Sequence, residues 1–176
     1  LKQTQMNTLK FLTSLVFVSI FFVSCSNDDD SPAIVTEEEV ITTMTVTLTP
    51  ENGGSLVVLS TIDLDGDGGN DPIVSVTGSL NADTKYNGTI TLLNQTEEPA
   101  ENITEEVEEE DLDNQFFFNV GSGLNVCISN QNLDSENNIL GTTFDLNTGT
   151  ASSGDLTFTL RHEPTKQPGS NDADAA

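Results

Sequence analysis

From Val40 to His162 most of the chain alternates apolar and polar residues with a period of two. In VITTMTVTLT, Met44, Val46 and Leu48 fall on one face, and Thr43, Thr45, Thr47 and Thr49 on the other. This alternation marks a half-buried strand. The cluster Pro50-Glu51-Asn52-Gly53-Gly54 reads as a turn. SLVVLSTIDL is a second strand, apolar enough to be central. DGDGGNDP is a long turn, and IVSVTGSL a third strand ended by Asn81-Ala82-Asp83. KYNGTITLLN is a fourth, with Tyr86, Ile90 and Leu92 on one side. NQFFFNV, LNVCIS, ILGTTFDL and DLTFTLRH follow. In the last, Leu156, Phe158 and Leu160 face in, while Thr157, Thr159 and Arg161 face out. About eight short strands without strand–helix alternation predict an all-β fold, an antiparallel Ig-like β-sandwich. The sequence has no Trp and no Cys pair in this region, so an antibody-type domain is not supported.

One segment breaks the period. In PAENITEEVEEEDLDN, Asn102 is placed to cap a helix, with Glu105 three residues on as in a capping box. Ile103 and Val107 sit four apart, and acids fill the first turn, where the macrodipole favours them. The spacing predicts one short acidic helix over about 103–111, crossing an end of the sandwich.

Charge then divides the chain. Asp and Glu total 29 against 5 Lys and Arg, a net charge of −24. Lys2 and Lys10 precede an uncharged run from Phe11 to Ser24, and no acid comes before Cys25. The run is shorter than the roughly 20 residues that span a bilayer, and it suits a signal-peptide core. Its end, Phe22-Val23-Ser24-Cys25, resembles the bacterial lipobox, although Phe22 stands where that motif usually has Leu. The resemblance implies cleavage before Cys25 and its diacylation, which anchors the protein to a membrane through lipid. The residues after Cys25, SNDDD, resemble the acidic export signal of Bacteroidota lipoproteins. That resemblance implies the outer face of the outer membrane; a plain acidic tether facing the periplasm is the alternative. The expected organisation is a signal peptide at 1–25, a tether at 26–38, a β-sandwich at 39–166 and a flexible tail at 167–176. A sandwich of this kind often closes with one more strand after such a loop. A missing one would leave an open edge. Leu1 is not a usual start residue, and Met6 is one candidate for the start.

A strongly negative surface repels nucleic acid and anionic headgroups. It suits divalent cations, basic partners or simple solubility. Asp63, Asp65, Asp67 and Asp71 surround Gly66, Gly68 and Gly69. Carboxylates at i, i+2 and i+4 can converge on a hard cation, so the loop is a calcium candidate resembling the start of an EF-hand or dockerin loop. It departs at the twelfth position, Val74, where the EF-hand has a bidentate Glu. The alternative is a Gly-Asp turn that needs no metal. His162, the one histidine, lies beside Glu163, and such a pair is a minimal candidate for zinc or copper. Glu105, Glu106, Glu108, Glu109, Glu110 and Asp111 form either a solvated face or a patch for cations or a basic partner. Cys127 reads as a small strand residue pointing away from Leu124, Val126 and Ile128. No Ser-His-Asp order, HExxH, GxSxG or P-loop appears, and the reading expects no enzyme.

Several stretches resemble a group of small acidic flavobacterial lipoproteins: DLDGDGGNDPIV, YNGTITLLNQTEEPAENITEEVEEE, NQFFF and TLRHEP. That group often carries the label "type 1 periplasmic-binding fold", which implies a two-lobed α/β protein. The length and all-β pattern of this chain depart from it. The expected function is a surface-exposed lipoprotein that binds a small ligand or a metal ion, with calcium as the candidate, as accessory to an outer-membrane transporter. The alternative is a structural or adhesive sandwich without a ligand.

Overall fold

The computed structural model describes residues 39–66 and 69–166. The signal segment with Cys25, the tether, Asp67 and the tail lie outside them. The described residues form a compact unit around a core of their own. Its strands are β1 (Thr43–Pro50), β2 (Val57–Ile62), β3 (Ile73–Thr77), β4 (Lys85–Asn94), β5 (Glu101–Asn102), β6 (Asn114–Val120), β7 (Val126–Ser129), β8 (Thr143–Thr148) and β9 (Leu156–His162). One helix, α1 (Ile103–Glu109), lies between β5 and β6. The fold is an all-β antiparallel sandwich. The large sheet runs β3-β2-β1-β4-β8-β7, with β5 paired to β4, and β6 and β9 form a second sheet of two strands.

Period-two alternation set these elements as expected. β4 and β6 match the predicted segments end to end. β3 stops at Thr77 because Gly78 turns left-handed at φ 89°. β8 starts at Thr143, later than the pattern predicts. Gly141 breaks the extended run at φ 87°. The Asn132 carboxamide then holds the corner, its Oδ1 accepting from the N–H groups of Gly141 and Thr143. β5 was not expected; it pairs Asn102 with Leu93 and Glu101 with Asn94.

The helix forms where its cap predicts. Asn102 Oδ1 accepts from the Thr104 N–H, and its Nδ2 donates to Glu105 Oε1. Ile103 and Val107 are buried. Thr104 Oγ1 accepts from the Leu92 N–H and donates to the Leu92 carbonyl, which fastens α1 to β4. Among the described residues no helix is long and apolar enough to cross a membrane.

Three phenylalanines join the two sheets. Phe118 of β6 lies 4.8 Å from Phe144 of β8 and 5.6 Å from Phe158 of β9, ring centre to ring centre. Phe144 and Phe158 are 5.8 Å apart. Tilted and edge-on contacts of this kind add about 0.5–1.5 kcal/mol per pair beyond the area they bury. Gly88 makes room for them. It pairs with Phe144 across β4 and β8, and a Cβ there would lie 2.4 Å from the Phe144 ring. Gly88→Ala is therefore expected to displace that ring and cost about 1–3 kcal/mol, read as a lowered urea midpoint.

A buried ion pair closes the far side. Lys166 Nζ lies 2.8 Å from Asp134 Oδ2, with only 8% and 0% of the two side chains exposed, and it also donates to the Asp111 carbonyl. Burial pushes the Asp134 carboxyl up, but the Lys166 ammonium and the Asn138 and Glu136 N–H groups outweigh it and hold it below the usual range. A carboxyl depressed on folding stabilises above its unfolded pKa, and that contribution is lost as pH falls through the folded value. Lys166→Met strands the carboxylate and is expected to cost about 3–5 kcal/mol at neutral pH. The gap to the parent should narrow below about pH 4, in urea melts over a pH series, as Asp134 protonates in both states.

Candidate functional site

The sheet pairings set the floor of an open groove. Across the inner face one row runs Ile90, Val46, Leu59, Val76, and the next runs Leu92, Met44, Thr61, Val74. Burial fades along both rows. Ile90 and Val46 are 3% and 2% exposed, Leu59 is half-buried, and Val76 is 60% exposed. Leu92 is fully buried, whereas Val74 is 70% exposed. The cause is coverage. The second sheet sits over β8 and β4 through its phenylalanines and stops short of β2 and β3.

The resulting groove holds about 620 Å³. Leu156 and Phe158 of β9 form its wall, and Leu80 and Leu124 close one end. Its lining residues are mainly apolar, with Ser60, Thr61, Ser79 and Thr157 among them and one acidic residue, Asp155. Beyond Leu80 and Leu124 a polar shelf of about 280 Å³ continues past Asn125, Thr150 and Ser152. The groove was not legible in the sequence. Val74 and Val76 look there like any other inward strand residues, and only strand order shows that nothing lies over them among the described residues.

The calcium candidates lie on the connection between β2 and β3. Asp63 Oδ1 accepts from the Gly66 N–H at 2.9 Å. Asp65 Oδ2 accepts from the Asn70 N–H and Nδ2, and those bonds hold its carboxyl below the usual range. Two of the carboxylates thus serve the turn itself. Asp71 is exposed, and Asp67 lies outside the described residues. His162 is exposed at the end of β9, its Nδ1 3.4 Å from Asn114 Oδ1. Glu163 turns left-handed at φ 50° and donates its N–H to the Asp113 carbonyl. Among the described residues no three His, Cys, Asp or Glu side chains come together as a metal site. Cys127 is a free, exposed thiol on β7.

The acidic helix is largely occupied with the fold. Glu105 accepts from Asn102, Glu108 from the Thr142 hydroxyl at 2.7 Å, and Asp111 from the Ser135 N–H and hydroxyl. Glu106 and Glu110 are left crowded. Burial first, then Glu101 and Glu39, push the Glu106 carboxyl up; burial and Glu39 do the same to Glu110. A carboxyl raised on folding weakens the fold as pH rises through its titration. Glu106→Gln should therefore raise stability at pH 7 by a few tenths of a kcal/mol, and the gain should fade below about pH 4. Thermal melts of the two proteins at both pH values measure it.

No family model, curated protein or solved structure matches the chain.

Proposed function

We propose that this protein is a lipid-anchored outer-membrane binding module whose ligand occupies the groove over β1, β2 and β3. The single observation that carries the reading is that groove. Its volume of about 620 Å³ falls within the range of roughly 300–1,000 Å³ common for small-molecule sites, and apolar walls with a few hydroxyls are the usual lining. Exposed Val74 and Val76 leave apolar surface in water, a cost that occupancy would relieve. Anchoring at Cys25 and display at the cell surface rest on the lipobox-like FVSC and the acidic SNDDD that follows. Lys2 and Lys10 before the apolar run support the same reading. A tethered, strongly acidic binding domain suits delivery of a ligand to an outer-membrane transporter. The role assigned is binding and not catalysis.

Two measurements test it. Labelled palmitate should enter the protein in growing cells, and Cys25→Ala should abolish the label; unlabelled parent protein would refute the anchor. The lipid-free chain from Ser26 onward should bind one equivalent of the apolar dye ANS. Val76→Glu should weaken that binding at least tenfold, since an unpaired buried charge costs well over the roughly 1.4 kcal/mol that tenfold represents. Dye binding indifferent to Val76 would place the ligand elsewhere.

A further inference from the structure

We infer that the groove takes an extended peptide: a β-strand of a partner protein that pairs with the edge of β9 left uncovered among the described residues and completes the second sheet. This deepens the groove-binding reading and rests on it. The first ground is the mismatch between the sheets. Six strands lie side by side in one and two in the other. Strands repeat about every 4.8 Å, so a strand added beyond β9 would extend the cover toward β2 and β3, the part now bare.

The second ground lies within the small sheet. Phe116 and Phe118 of β6 are 0% and 8% exposed, yet Leu156, Phe158 and Leu160 on the same face of β9 are only half-buried. The difference is what lies beyond each strand. β9 pairs with β6 alone among the described residues, and its residues from Asp155 to Phe158 border the groove. Its outer N–H and C=O groups form a ready ladder for another strand. A strand seated there would send alternate side chains down onto Val46, Leu59 and Val76 and turn the others to solvent.

Charge and composition select the occupant. Asp155 is the one charged residue lining the groove, and no Lys or Arg lines it. The chain as a whole carries −24, so a second copy would bring like charge against like. The segments of this sequence that flank the fold lack the pattern. Residues 167–176 contain no Val, Ile, Leu, Met or Phe, and residues 26–38 contain only Ile34 and Val35. The apolar run before Cys25 is the part read as removed. The chemistry that fits is a foreign strand with β-branched residues at alternate positions and Lys or Arg at its flanks.

A synthetic peptide tests this on the lipid-free chain from Ser26 onward, whose described residues hold a core of their own. The peptide alternates Val or Ile with Thr and carries Lys at both ends. It should bind one to one, displace ANS, and protect the outward amides of Leu156, Phe158 and Leu160 from deuterium exchange. A twin methylated on alternate backbone nitrogens keeps the side chains but loses half its donors, and it should bind at least roughly tenfold more weakly. Val76→Glu should abolish peptide binding without unfolding the domain, because Val76 is already 60% exposed. Asp155→Asn should reduce the salt dependence of binding.

Equal binding of the methylated twin would overturn strand pairing. Protection of these three outward amides without peptide in a dilute monomer would overturn the foreign strand in favour of one from the same chain. Protection that grows with protein concentration would overturn it in favour of a second copy. Dye binding without peptide binding would sink the strand and leave the groove reading standing. Failure of the dye as well would remove the groove reading itself.

Discussion

The contact among Phe118, Phe144 and Phe158 governs the rest of the architecture. A two-stranded sheet has little stability of its own. Here it is held to the larger sheet by rings from β6, β8 and β9 that meet within 4.8–5.8 Å. That contact places the small sheet over β8 and β4. Everything buried beneath it is tightly covered, from Leu92 and Ile103 to Leu146. Two and three strands away the cover thins: Leu59 of β2 is half-buried and Val76 of β3 is 60% exposed. The groove is thus a result of where the aromatic residues sit, and Gly88 is the position that lets them sit there.

Much of the fold could be read from the chain because alternation survives wherever one face is buried. The strands and the helix cap belong to this class, since neighbours in sequence create them. Two features do not. Asp134 and Lys166 lie 32 residues apart and meet only once the sheets are assembled. The groove floor depends on strand order, which a pattern of apolar residues does not encode. The turn at Asp63 and Asp65 was legible as a candidate for either cation binding or simple turn formation. The carboxylates face the turn's own N–H groups because short Asp side chains reach their neighbours' backbone easily.

The positive charges among the described residues are all engaged in the fold. Beyond Cys25 the sequence has Lys85, Arg161 and Lys166. Lys85 bridges Glu51 and Asp145, each at 3.2 Å, while Arg161 lies over the Phe117 ring and Lys166 pairs with Asp134. The acidic excess is left for the surface, where α1 concentrates part of it. Such a surface discourages nucleic acid and acidic membranes while leaving the apolar groove open to a neutral or basic visitor.

The edge strand β3 has a colloidal consequence. Ile73, Val74 and Val76 are each at least 60% exposed on a strand with no charged residue, and Pro72 guards only its entrance. Exposed edges like this invite end-to-end zipping between molecules. The negative excess of the whole chain supplies the repulsion that the edge itself lacks. Its range is about 8 Å at physiological ionic strength and about 3 Å at 1 M salt. The salt content of the surroundings therefore sets whether crowded copies stay dispersed or line up edge to edge.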